Sequence, residues 1–186
     1  MIPGQPIPPL SLRRADADDA ARLALIGGAT FLATFAHDHG GDDIVAHATG
    51  AHGAAYYAKA LADPRCALWL VETPLKAPVG YAMLCPPEMD FQTGPGDLEL
   101  KRIYMLPGYA GGGWGRRLVE AVVSEARSRG AARLLLSVYE HNLPSQAFYE
   151  RNGFRWTGAA QDFITGGTAS TDLIYARPLE PAAPLA

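Results

Sequence analysis

A chain of 186 residues, 48% of them hydrophobic, has the size of one globular domain and enough apolar surface to build a substantial core. Its net charge is −3 with no long block of Lys and Arg, which argues against electrostatic capture of nucleic acid or of an anionic membrane. A small soluble molecule is the expected partner.

The first residues, Met1-Ile-Pro-Gly-Gln-Pro-Ile-Pro-Pro9, lack a positive region followed by an apolar one, and no apolar stretch approaches the roughly 20 residues that span a bilayer. A cytoplasmic location is therefore expected. Proline removes backbone donors and resists regular pairing, so residues 1–9 and 180–186 are expected as disordered tails around a single domain at 10–179.

Within that domain, Leu10 to Arg14 predicts a short strand. Asp16 to Leu25 predicts a helix with Asp16 as N-cap and Gly27-Gly28 as its stop, followed by a second helical stretch from Thr30 to Ala36. The segment from Asp38 to Asp63 is rich in Ala, Gly and His, with a helix expected from about Gly53 to Leu61 carrying Tyr56 and Tyr57. Ala67 to Thr73, Val79 to Cys85 and Leu98 to Met105 are apolar runs typical of strands. Cys66 and Cys85, the only cysteines, sit inside apolar runs, which suits buried reduced thiols better than a disulfide framework, while their spacing leaves a bridge open.

From Arg116 to Arg129, Leu118, Val119, Val122, Val123 and Ala126 recur at helical spacing, with Gly130 as the stop. Arg133 to Val138 has no polar alternation, as in a strand buried on both faces. Leu143 to Asn152 predicts a helix with Pro144 in its first turn and Gly153 beyond its end. Strands at about Phe154 to Ile164 and Asp172 to Arg177 complete the order β-α-α-β-β-β-α-β-α-β-β, an α/β (α+β) chain with a mixed, mostly antiparallel sheet of about seven strands and helices on both faces.

The stretch Pro107-Gly-Tyr-Ala-Gly-Gly-Gly-Trp-Gly-Arg116 lies between a strand and a helix, where unpaired N–H groups and the helix dipole attract phosphate. A surface turn needing positive φ angles is the alternative. The stretch does not match G-x-G-x-x-G, because Arg116 or Leu118 falls where the last glycine belongs. It is not a P-loop either, since no Lys-Ser or Lys-Thr follows the glycines.

Leu98-Glu-Leu-Lys-Arg-Ile-Tyr-Met-Leu-Pro107 followed by Gly113-Trp-Gly-Arg-Arg-Leu118 resembles the coenzyme-A signature of the GNAT N-acetyltransferases. Asn142-Leu-Pro-Ser-Gln-Ala-Phe-Tyr-Glu-Arg-Asn-Gly-Phe154 is similar to that family's later motif. Thr30-Phe-Leu-Ala-Thr-Phe35, Leu100-Lys-Arg-Ile-Tyr104, Ser137-Val-Tyr-Glu-His-Asn142 and Thr171-Asp-Leu-Ile-Tyr175 extend the resemblance to bacterial polyamine acetyltransferases of the PaiA type. Two positions depart from the family pattern: Ala110 stands where Gln or Arg is usual, and Ser145 where alanine is customary.

The resemblance implies the GNAT fold, acetyl-CoA as cosubstrate without a metal, and a small-molecule amine, polyamines included, as acceptor. It implies cofactor binding by Ile103, Tyr104 and Met105 on the strand, by Ala110, Gly111, Gly112, Gly113, Trp114, Gly115 and Arg116 in the cradle, and by Asn142, Ser145, Phe148 and Tyr149. It also implies Glu99 as a base, acting directly or through water, and Tyr149 as the acid that protonates the departing thiolate. An alkylamine with a pKa near ~10 arrives protonated, so a base is needed. From the residues alone, Glu99 could be an ordinary strand residue paired with Lys101 or Arg102, and Tyr149 an amphipathic core residue.

For the acceptor, Asp38, Asp42, Asp43, Tyr56, Tyr57 and Asp162 are candidates as carboxylates and aromatic faces that hold ammonium groups. The stretch from Ile44 to Leu61 contains no Asp or Glu, which leaves an amino-acid-like compound, a peptide amine or an antibiotic open beside polyamines. His37 and His39 with Asp42 and Asp43 lack a fourth metal-ligand spacing, so a loop is expected there rather than a metal site. A non-catalytic acyl-CoA sensor and a DNA-associated regulator are the other classes weighed. Glu99 with Tyr149 speaks against the first and the acidic balance against the second. Exposed strands near the C-terminus make a homodimer a further expectation.

Overall fold

A computed structural model of the chain describes residues 8–165 and 168–179. The expected tails fall outside the described residues except for Pro8 and Pro9. In chain order the elements are β1 (Ser11–Arg14), α1 (Ala20–Phe35), α2 (Gly41–Thr49), α3 (Ala54–Ala62), β2 (Ala67–Glu72), β3 (Pro78–Cys85) and β4 (Asp97–Met105). They continue with α4 (Trp114–Ser128), β5 (Arg133–Tyr139), α5 (Leu143–Arg151), β6 (Arg155–Thr165) and β7 (Thr168–Pro178).

The strands form one sheet in the order β1-β2-β3-β4-β5-β7-β6. Only the β4–β5 pair is parallel; every other neighbour is antiparallel. Alternate side chains of the central strands feed two cores. Trp69, Val71, Ala82 and Leu84 pack with Leu118, Val119, Val122 and Val123 of α4. Leu68, Leu70, Tyr81 and Met83 pack with Leu23 and Ile26 of α1 and Tyr57 of α3 on the other face.

The apolar spacing in α4 is the reason for its position: all five residues at the predicted interval are buried. The start of α1 is set by Asp16, which caps a single 3-10 turn at Ala17–Asp19 that runs into the helix. Arg13 ties this corner to the sheet by donating to Asp19 at 2.6 and 2.7 Å and to Glu72 at 2.8 and 2.9 Å.

Three expectations are corrected. Gly27-Gly28 does not stop the first helix: α1 runs through to Phe35 and absorbs the second expected helix. Glycine stands at 27 because a Cβ there would meet His52 Nδ1 and Tyr57 Oη at 2.5 Å each. The presumed loop after Asp38 contains α2, which buries only Ile44 and starts from Gly40 without a side-chain cap, so it carries little periodic or capping signal. Cys66 and Cys85 are not reduced thiols. Pairing of Ala67 with Leu84 sets them opposite one another at a Cα–Cα distance of 4.3 Å, and they form a disulfide.

No helix of the described residues is long and apolar enough to cross a membrane.

Candidate active site

The site begins where β4 and β5 part. They pair through three residues only, Asp97 with Arg133, Leu98 with Leu134 and Glu99 with Leu135. Beyond Glu99, β4 keeps its pairing to β3 but has none to β5, so one edge of its backbone faces a wedge. Unsatisfied backbone groups of this kind accept an extended ligand as an added strand.

A bulge changes the orientation of β4 inside the wedge. Leu84 faces Leu100 while Met83 faces Arg102, which leaves Lys101 without an opposite residue. Glu99, Arg102 and Tyr104 consequently share the face of Cys85, Met83 and Tyr81, toward α1 and α3, while Leu100 and Ile103 share the α4 face.

At the end of β4 the chain enters the glycine run. Gly111, Gly112 and Gly113 all have positive φ, at 105°, 57° and 78°, a conformation that costs a side-chain-bearing residue about 1–2 kcal/mol. Gly113 is the N-cap of α4 and offers no side-chain cap. Trp114 N donates back to Gly111 O at 3.3 Å, while the first-turn N–H groups of Gly115 and Arg116 lack intrahelical partners and suit an anion. Across the wedge, Asn142 Oδ1 caps α5 by accepting from Ser145 N at 3.2 Å. The Phe148 ring lies 3.2 Å from where a Cβ on Gly115 would be, so glycine at 115 lets the two helix starts approach.

These parts border one cleft of about 560 Å³. Of the residues expected from the sequence, Ile103, Tyr104, Met105, Ala110, Gly111, Gly113, Trp114, Gly115, Arg116, Asn142, Ser145, Phe148 and Tyr149 line it. Gly112 and Glu99 do not. Glu99 is buried, with Oε2 accepting from Glu88 N at 2.9 Å. Neither expected partner pairs with it: Lys101 bonds to Glu88, and Arg102 Nη2 donates to Ala51 O at 3.2 Å. Burial raises the Glu99 carboxyl above the usual range.

Tyr149 packs edge-on against Phe148 and Phe154 at 5.5 and 5.9 Å between ring centroids. Burial, reinforced by Tyr104 and Asp172, raises its phenol well above the ordinary value, so it keeps its proton at neutral pH. Asp172 is the carboxylate that lines the cleft. It is buried, accepts from Ser137 Oγ at 3.0 Å, and is raised by burial.

The far end of the cleft is lined by Phe31, Thr34, Phe35, His39, His47 and His52. Phe31 stacks on His47 at 4.1 Å and lies 4.8 Å from Phe35. His52 Nδ1 is 2.9 Å from Tyr57 Oη, which donates to Tyr81 Oη at 3.1 Å. Burial, with Arg102 second, lowers His47 to about 4 and His52 to about 3, so both are neutral at pH 7.

Sequence reasoning missed this end, as well as Lys101, Arg102, Ser137, Tyr139 and Asp172 as wall residues. The available signal was that Phe31, Thr34, Phe35, Lys101, Arg102, Ser137, Tyr139 and Asp172 fall inside the quoted motifs, whereas nothing marked His47 and His52. Of the acceptor candidates, Asp38 and Asp162 line a smaller hollow of about 240 Å³ with Glu140, next to the cleft. Asp42, Asp43, Tyr56 and Tyr57 line neither. Among the described residues, no group of three or more His, Cys, Asp or Glu could hold a metal ion.

A strand that parts from its parallel neighbour, a left-handed glycine run and a cleft between two helix starts are the arrangement of an acyltransferase that draws on acyl-CoA. Residues 32–154 match the family model described as acetyltransferase (GNAT) family. An uncharacterized N-acetyltransferase of Mycobacterium tuberculosis (strain H37Rv) is 31% identical over 161 residues, 87% of this chain and 98% of that protein. A spermine/spermidine N(1)-acetyltransferase of Bacillus subtilis is 32% identical over 82 residues, 43% of this chain and 54% of that protein. The fold is also that of a PaiA N-acetyltransferase from Thermoplasma acidophilum solved with coenzyme A. The TM-score is 0.72 at 17% identity, covering 91% of this chain and 99% of that one.

The chain belongs to the GNAT acetyltransferase family and is an N-acetyltransferase that uses acetyl-CoA. The residues fit that cosubstrate: the free edge of β4 suits the pantetheine amides, and the glycine run with the α4 N-terminus suits the pyrophosphate.

Proposed function

We propose that this acetyltransferase moves the acetyl group onto the primary amine of a small molecule by direct attack within a ternary complex, the work of one domain spanning 10–179. The observation that carries the reading is that a single cleft is bordered both by the glycine cradle and by the Phe31, Phe35 and histidine end. Both reactants then share one cavity, with no need for a covalent relay. The disulfide supports this, because it leaves no free cysteine to form an acetyl-enzyme.

Acetyl-CoA supplies an activated thioester. The main chain of Ile103 and Met105 is proposed to align it, the amides of Gly111, Gly113, Gly115 and Arg116 to hold the pyrophosphate, and the Asn142 amide group to bond the pantetheine arm. Tyr149, kept protonated by burial, donates to the departing sulfur. The amine's proton is assigned to Asp172, the carboxylate in the cleft wall, with Glu99 acting through water as the alternative. A cytoplasmic location suits a consumer of acetyl-CoA.

A polyamine acceptor is a second reading. It is favoured by the partial match to the spermine/spermidine enzyme and by the hollow holding Asp38, Glu140 and Asp162. Thiol release from acetyl-CoA, measured with amino acids, polyamines, aminoglycosides and peptides, tests both. Intersecting initial-velocity lines are expected for a ternary complex. Parallel lines would reject it.

A further inference from the structure

We infer that Arg102 is an anion-recognising residue in the cleft and that the acceptor is an amine bearing a carboxylate, an apolar α-amino acid in chemical class. This deepens the acetyltransferase reading and rests on it.

The bulge at Lys101 sets Arg102 on the face shared with Met83 and Tyr81. One side of the guanidinium is anchored: Nη2 donates to Ala51 O at 3.2 Å and the group lies over the Tyr56 ring at 5.3 Å. Its buried Nε has no hydrogen-bond partner, and no carboxylate among the described residues forms an ion pair with it. The nearby acidic groups are committed elsewhere, Glu99 to the Glu88 amide and Glu88 to Lys101. The cleft imidazoles His47 and His52 are neutral at pH 7 and so neither add to the positive charge nor offset it.

Glu88 and Glu99 lie close enough to feel the charge of Arg102 but neither bonds to it, and a largely buried cation bonded to no carboxylate is costly unless a ligand supplies the opposite charge. Guanidinium recognises carboxylate by a planar pair of charge-assisted bonds. The apolar rings of Phe31 and Phe35 line the same cleft and suit an aliphatic or aromatic side chain. Among the described residues Asp172 is the only carboxylate lining the cleft, against Lys101, Arg102 and Arg116. Lys101 is held by Glu88 and Arg116 by Glu120, which leaves Arg102 and Asp172 as the two opposite charges open to the acceptor, and a zwitterion presents its ammonium to Asp172 and its carboxylate to Arg102.

The test compares L-leucine and L-phenylalanine with their amides and with isopentylamine, phenethylamine and spermidine, by thiol release from acetyl-CoA. The wild type is expected to prefer each acid over its amide by about 10- to 100-fold in kcat/KM. Arg102→Gln is expected to bring that ratio to within threefold, chiefly by raising KM for the acid, and Arg102→Lys to fall between. Wild-type turnover of amides or spermidine as efficient as that of the acids overturns the inference without any variant. If coenzyme A binds and no amine is turned over, the small-amine reading fails. Calorimetry on the coenzyme-A complex then decides the inference by itself. Tighter binding of N-acetyl-L-leucine than of its amide, lost in Arg102→Gln, upholds it, and equal binding overturns it.

Discussion

Arg133 grips Asp97 with two bonds, Nε to Oδ1 at 3.0 Å and Nη2 to Oδ2 at 2.5 Å, on the first rung of the short parallel pair between β4 and β5. The guanidinium holds the buried Asp97 carboxyl below the usual range. A depressed pKa contributes stability above the unfolded value, near ~4, and that contribution is lost as pH falls through the folded one. Asp97→Asn is expected to cost about 2 kcal/mol at pH 7, a value reduced because Arg133 is partly solvated. The penalty should shrink below pH 4. Urea melts at pH 7 and pH 3.5 check this, and an equal penalty at both would remove the clamp from the account.

Tyr149→Phe deletes the proposed proton donor and leaves the ring contacts with Phe148 and Phe154. A fall in kcat of about 100-fold is expected, with little change in the Kd of coenzyme A. Because burial raises the phenol, the wild type should show no loss of rate from Tyr149 ionising between pH 7 and 10. A variant that kept kcat within threefold would assign the proton to another group.

Asp172→Asn and Glu99→Gln separate the two carboxylates. A base works ionised, so kcat/KM should fall on the acid side as pH drops through the raised pKa of the functional group. Asp172→Asn is expected to lower kcat/KM by about 100-fold and erase that limb, while Glu99→Gln leaves it in place. The reverse pattern would return the role to Glu99. For stability the sign is opposite to that of Asp97. A carboxyl raised in the folded state loses stability as pH climbs from its unfolded to its folded pKa, so the asparagine variant should be no less stable at pH 8.

The strands and α4 were legible because their signals are local: each rests on a run or a period within about a dozen residues. Gly111, Gly113, Gly115 and Tyr149 were legible, through motifs, as residues of one cleft wall. What the sequence hid depends on neighbours distant in the chain. Asp172 becomes a wall residue because β7 pairs with β5, setting it opposite Tyr139 beside the parting strands. Arg102 takes its face from a bulge that no composition signal marks. Asn142 stands at the expected helix start, where its Oδ1 caps α5.

Gly27→Ala tests why a helix runs through two glycines. On propensity alone, alanine in a helix interior would gain about 1 kcal/mol. A Cβ at 27 instead meets His52 Nδ1 and Tyr57 Oη at 2.5 Å, inside the buried chain from His52 through Tyr57 to Tyr81. Overpacking of this kind costs about 1–3 kcal/mol. A lower melting temperature and a higher KM for the acceptor are expected, since His52 lines its end of the cleft. Greater stability than the wild type would show that the pocket yields.

The disulfide can be tested without a variant. Cys66 and Cys85 are 19 residues apart, and closing a loop of that length stabilises a fold by about 3 kcal/mol in the chain-entropy account. A chain of this size shifts its Tm by about 2–4 °C per kcal/mol, so a reductant should lower the melting temperature by about 6–12 °C. The bond joins the residue just before β2 to the end of β3 on the α1/α3 face, away from the glycine cradle. Coenzyme-A affinity should therefore survive reduction while the melting point falls. Protein purified without reductant should show no thiol to a chromogenic reagent until it is reduced, and two afterwards. Two reactive thiols in the unreduced, denatured protein would place the cysteines back among the packed apolar groups expected from their sequence context.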